Sequence, residues 1–256
     1  MTAICALCQE HHELCRSHLL PHALYQLGAG PHVSFSASSA LLTSTEVRLH
    51  LLCSYCEDRF NKRGEDWVLR NIVRSNTEFG LWEKLQAARK AQTGGNVLYT
   101  AADASQVDTV AIEYFAASIL WRSSAAEWPR HDGPLRIELG RYAEELRKFL
   151  YVDGTPFPDD IILLVTVAEP PHWELGSTFP EQGRTSEGKR CVEFLIPGIR
   201  FFAIFAKHLA PGERSVAFSS SPKRYISGDD FRGIRQRLAA NAYRSIKKGK
   251  LARQFR

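Results

Sequence analysis

Two pairs of cysteines limit most strongly what this chain can fold into. Cys5 and Cys8 are separated by two residues, and so are Cys53 and Cys56. Paired Cys-x2-Cys knuckles present four thiolates to one tetrahedral ion, and zinc is the ordinary choice. The 44 residues between the pairs exceed the roughly 15–20 common in such sites. They must form an ordered insertion or a mobile loop. Five of the six cysteines and six of the nine histidines lie in the first 56 residues. The chain starts Met1-Thr-Ala-Ile-Cys-Ala-Leu-Cys, with no basic region before an apolar stretch. The expectation is a cytoplasmic chain with reduced thiols, in which clustered cysteines mean metal rather than disulfide. Cys15 and Cys191 read as small apolar fillers.

At 256 residues, 44% of them apolar and 24% charged, the chain can bury a real core. Its longest apolar runs, Ile161–Ala168 and Phe201–Ala206, fall far short of the ~20 residues of a membrane helix, so no membrane partner is expected. The net charge of +5 is unevenly placed. Of the 33 Lys and Arg, nine lie in residues 232–256 with no acid among them, leaving 24 bases against 28 acids elsewhere. A basic end of this kind attracts nucleic acid or simply solubilises a helix.

The coarse reading divides the chain into 1–75 and 76–256. Residues 28–45, rich in Gly, Ser, Ala and Thr, read as a flexible loop. Arg48–Cys53 reads as a short strand or turn leading into the second Cys pair, and Ser54–Ser75 as a helix, weakened at Gly64 by about 1 kcal/mol. A further helix is expected over 78–92. In the second part, Asp108 caps a helix to about Trp128 with Val110, Tyr114, Ile119 and Trp121 buried, and Pro134 opens another with Leu135, Leu139, Tyr142, Leu146 and Phe149. Asp159–Glu169 reads as a strand buried on both faces. A Pro- and Gly-rich loop leads to a hairpin of Lys189–Ile196 and Ile199–Lys207 turned by Pro197-Gly198. Ser227 or Asp229 caps a last helix carrying Phe231, Ile234, Leu238 and Ile246. Asp153, Asp159 and Asp160 read as turn chemistry. The expected fold class is α+β: an N-terminal zinc-bound ββα-metal or treble-clef-like module, then a mixed α+β domain with an antiparallel sheet and at least three strands. No phosphate-binding glycine motif or nucleophile elbow is present.

Between the knuckles stands Ser17-His18-Leu19-Leu20-Pro21, and Leu51-Leu52 precede Cys53-x2-Cys56-Glu57. Together these strings resemble the four-Cys zinc branch of the HNH endonucleases, whose pattern is Cys-x2-Cys, Asp-His-Ile-x-Pro, an Asn, then Leu-Cys-x2-Cys-His. They also resemble a set of bacterial proteins with Ser-His-Ile-x-Pro and Leu-Leu-Cys-x2-Cys-Glu. The resemblance covers about residues 5–75. It implies structural zinc on Cys5, Cys8, Cys53 and Cys56, and His18 as general base against a phosphodiester, a role that suits an imidazole. It implies a catalytic Mg²⁺ or Mn²⁺ as well. The family's Asp is Ser17 here, its final His is Glu57, and its Asn falls near Arg48. Glu57 is a hard ligand for such a cation. On one helix Glu57, Asn61 and Glu65 would share a face, so that Glu57 and Asn61 hold the cation beside His18. The bland reading of these three is a solvated helix surface. His11, His12, His22 and His50 read as surface residues or neighbours of the metal.

Three functions compete. The first is a metal-dependent nuclease, acting on DNA more than RNA, with phosphate contacts from Arg59, Lys62, Arg63, Lys247, Lys248 and Lys250. The second is a catalytically inactive zinc module that binds nucleic acid. The third is a protein-interaction module, with residues 76–256 docking a partner.

Overall fold

The computed structural model describes residues 2–27, 32–35, 40–43, 46–93, 96–130, 133–171, 173 and 176–247. The first three-stranded sheet has the order β1-β2-β5, from β1 (Thr2–Ile4), β2 (His11–His18) and β5 (Arg48–Cys53). Strands β2 and β5 run antiparallel, with His18 opposite Arg48. Between them come α1 (His22–Tyr25) and the antiparallel pair β3 (His32–Phe35) and β4 (Ala40–Thr43). Part of the expected loop over 28–45 is therefore a hairpin, and the rest of it lies outside the described residues.

Helix α2 (Ser54–Phe60) follows β5 directly and continues through a π-helical turn, Asn61–Glu65, into α3 (Asp66–Arg70). The expected helix to Ser75 thus stops five residues early. Its last residues become β6 (Val73–Ser75), paired with β7 (Glu78–Phe79). The helix expected over 78–92 shrinks to α4 (Gly80–Leu85), and β8 (Arg89–Thr93) pairs with β9 (Asn96–Thr100). Here tertiary pairing overrides the helix propensity of Lys, Ala and Gln.

Helix α5 (Thr109–Ala125) is capped as expected, the Asp108 carboxylate accepting from the Ala111 amide at 2.8 Å. It is buried from Ala111 to Ser124 on all sides rather than along one stripe. Tyr114, Ile119 and Trp121 are buried as expected, but Val110 is 65% exposed. Helix α6 (Tyr142–Tyr151) begins eight residues after Pro134. Leu135–Leu139 is instead extended, with Leu135 bridged to Trp128 and the Ile137 amide donating to the Ser123 carbonyl.

The remaining elements are β10 (Ile161–Ala168), β11 (Thr178–Arg184), β12 (Arg190–Ile196), β13 (Ile199–Phe205), α7 (Pro211–Val216), β14 (Tyr225–Asp229) and α8 (Arg232–Lys247). They complete a seven-stranded sheet of order β11-β12-β13-β10-β14-β9-β8. All its pairs are antiparallel except β10 with β14. Strands β11 and β14 stand where a loop and a helix cap were expected. Ser227 lies in β14 and bonds Thr166 rather than capping. The turn into α8 uses Asp229, which accepts from the Phe231 amide, and Asp230, which accepts from Arg232.

One apolar core runs without a break from Cys5 to Ile226, across the boundary at residue 75. Phe60 meets Tyr114 and Trp121 edge-on at 6.0 Å, and on the other side of α5 Phe115 meets Phe201 at 5.6 Å. Helix α5 is thus held between the ββα unit and the large sheet. Two smaller clusters cover the opposite sheet face, one with Ala217 beyond α7 and one with Ile234 of α8. No helix among the described residues is long and apolar enough to cross a membrane.

Candidate functional site

The first knuckle is a turn closed by the Gln9 amide donating to the Cys5 carbonyl at 2.9 Å, with Gln9 at φ +64°. The second forms where β5 runs into α2. Cys53 precedes the first helical residue and Cys56 sits in the first turn, where the helix dipole favours thiolates. The Ala6 amide donates to the Leu51 carbonyl and the Cys53 amide to Cys5 Sγ. These bonds bring the knuckles together. The four sulfur atoms lie within 4.8 Å of one another, with Cys5, Cys53 and Cys56 buried.

The hydrogen bond from Cys56 pulls the Cys5 thiol down to about 4. The same bond, seen from Cys56, pushes that thiol far up, and burial raises Cys8 to about 11. Four thiols this close cannot all ionise unless a cation shares them. The donor set is soft and four-fold and fits a metal ion such as zinc.

His18 ends β2 opposite Arg48, at the end of the β2–β5 ladder away from Cys53. Its Nε2 lies 2.8 Å from Glu46 Oε2, and His22 Nδ1 lies 3.0 Å from Glu46 Oε1. Burial alone would raise the Glu46 carboxyl, but the hydrogen bond from His18 and the neighbouring imidazoles hold it below its usual range. Arg48 Nη1 stands 3.6 Å from the same carboxylate. His22, expected at the surface or as a neighbour of the metal, is 58% exposed while it bonds Glu46, and Glu46 was not among the expected site residues. The signal available was His18-x3-His22 across a proline.

The other expected site residues go elsewhere. Ser17 is buried, and its hydroxyl accepts from the Leu52 amide. Glu57 lies 3.9 Å from Arg122 Nη2, its Oε1 buried without a hydrogen-bond partner. Arg122, 2% exposed, stacks over the Phe60 ring and pairs at 2.6 Å with Glu65, whose carboxyl is pushed up by burial against the pull of Arg122. Glu57 thus already faces one fixed cation, the Arg122 guanidinium. Asn61 is exposed while Glu65 is buried, because the π-turn rotates the face that an unbroken α-helix would have given them.

Arg59 and Arg63 both pair with Asp153, at 2.6 and 2.8 Å, and Arg59 also donates to the Leu150 carbonyl. Asp153 is therefore an ion-pair partner and not only turn chemistry. Lys62 pairs with Asp58. Lys247 ends α8, while Lys248 and Lys250 lie outside the described residues. Fold and site define an α+β protein with a four-cysteine cluster at one end of the β2–β5 ladder and a His–His–Glu cluster at the other. No family model matches the chain, and neither the curated proteins nor the solved structures contain a match to it.

Proposed function

We propose that the chain is an HNH-like nuclease that hydrolyses phosphodiester bonds in nucleic acid, DNA more than RNA, with His18 as general base. The observation that carries the reading is the 2.8 Å hydrogen bond between His18 Nε2 and Glu46, at one end of the β2–β5 ladder whose other end carries Cys53. With the Nε2 proton donated to Glu46, the lone pair of Nδ1 is left to take a proton from the attacking water. Glu46 fixes the ring and stabilises the imidazolium that results, as an orienting carboxylate does in other base dyads. Arg48, 41% exposed beside the same carboxylate, would meet a phosphate.

Zinc on Cys5, Cys8, Cys53 and Cys56 would hold the frame with all four ligand positions filled, a structural rather than a reactive arrangement. A divalent cation such as Mg²⁺ or Mn²⁺ would offset charge developing on the phosphate. Glu57 and Asn61 are not its ligands in this reading.

The test is cleavage of plasmid DNA and of a structured RNA in Mg²⁺ and in Mn²⁺, beside His18→Ala. The parent should cut, and the variant, folded and metal-loaded, should lose roughly 10²–10⁴-fold in rate. Salt-sensitive binding without cutting by either would replace this reading with the inactive binding module. Neither cutting nor binding at low salt would leave the protein-interaction module.

A further inference from the structure

We infer that His18, His22 and Glu46 form a binding site for a borderline transition-metal dication of the Zn²⁺ or Co²⁺ class, separate from the four-cysteine centre. Geometry alone carries this site, independently of the nuclease reading. One ligand atom from each residue lies within 4.8 Å of the other two. Glu46 turns one oxygen to each imidazole, at 2.8 and 3.0 Å, so the three donors already converge.

The backbone that carries them is tied down. The Leu19 amide, next to His18, donates to the Val47 carbonyl, next to Glu46, at 3.1 Å. Leu19, Leu20 and Val47 are buried on either side. His22 is placed by Pro21, whose carbonyl accepts from the Leu24 amide. The donors are therefore held before any ion arrives, which lowers the ordering cost of binding.

Two imidazoles and one carboxylate select against Mg²⁺, which takes oxygen ligands, and favour zinc or cobalt. Arg48 is the competing cation, at 3.6 Å. Its half-exposed side chain can leave for solvent. A second cluster, Cys8, Glu10 and His12, is less apt, because an ion there must share Cys8 with the four-cysteine centre. An ion on the histidine site takes the Nε2 lone pair of His18 and the carboxylate that orients it. Zn²⁺ in excess should therefore inhibit any reaction that uses His18 as base.

The protein as purified, with its metal content measured, is titrated with Co²⁺ and followed by absorption and calorimetry. Cobalt on thiolates shows sulfur-to-metal charge transfer in the near ultraviolet, and cobalt on imidazole and carboxylate does not. The inference predicts one ion per chain without charge transfer. Its affinity should fall roughly tenfold or more in His22→Ala and in Glu46→Gln, and not in His12→Ala. In the parent, the ring protons of His18 and His22 should show paramagnetic shifts, a reading that needs no variant. Cobalt bound only with charge transfer would overturn the assignment. So would an extra ion that responds to His12→Ala, or one that leaves both imidazoles unshifted.

Discussion

Glu46 uses both carboxylate oxygens on imidazoles, and its side chain is only 15% exposed. Glu46→Gln keeps the shape and removes the charge that stabilises an imidazolium. We expect nucleic-acid cleavage to fall by roughly two orders of magnitude or more, with the fold unchanged by circular dichroism. An unchanged rate would remove Glu46 from the reaction. A different carboxylate gives a pH prediction. Burial would raise Glu193, but Arg200 at 3.0 Å and Arg237 at 2.8 Å hold it below its ordinary value of 4.5. A carboxyl depressed in the folded state contributes stability above the unfolded value, and that stability is lost as pH falls through the folded one. Denaturant unfolding of Glu193→Gln should thus differ most from the parent near neutral pH, and the gap should close in acid below about 4.5. At this scale the four cysteines were legible because their type and spacing carry the chemistry. Glu46 was not, since nothing in one sequence marks an acid 28 residues away as the partner of a histidine.

The π-turn Asn61–Glu65 is the element that most changes the site. Gly64 lies in it, and a Cβ there would sit 2.9 Å from the Phe115 amide nitrogen. In a free helix Gly→Ala would gain about 1 kcal/mol. Here the rigid backbone of α5 cannot yield, and overpacking costs about 1–3 kcal/mol. We therefore expect Gly64→Ala to lower the denaturation midpoint, and a rise would mean that the helices are not packed this closely. The β12–β13 hairpin was legible from its Pro197-Gly198 turn, where Gly198 at φ +80° leaves no room for a Cβ against Val73. The helix over 54–70 was legible from its apolar stripe, but the π-turn was not, because it is imposed by contact with α5. Strands β8, β9, β11 and β14 were illegible for a related reason. They are short or rich in polar residues, and they exist through pairing with a sheet assembled from distant segments.

Across the whole molecule, one core joins the four-cysteine unit through α5 to the large sheet. A structural metal on four thiolates contributes about 10–16 kcal/mol of apparent binding free energy, as much as the whole stability of an ordinary domain, about 5–15 kcal/mol. Removing it with a chelator under reducing conditions should unfold the N-terminal unit and lower the melting temperature of the rest, seen as one broadened and downshifted transition. An unchanged melt would mean that the cysteines hold no stabilising ion. The measurement that bears most directly on the central claim is cleavage of supercoiled plasmid DNA in Mg²⁺ by the parent, by His18→Ala, and by His18→Ala with added imidazole. We expect cutting by the parent, its loss in the variant, and partial recovery with imidazole, which supplies the missing base. Equal cutting by parent and variant would contradict it.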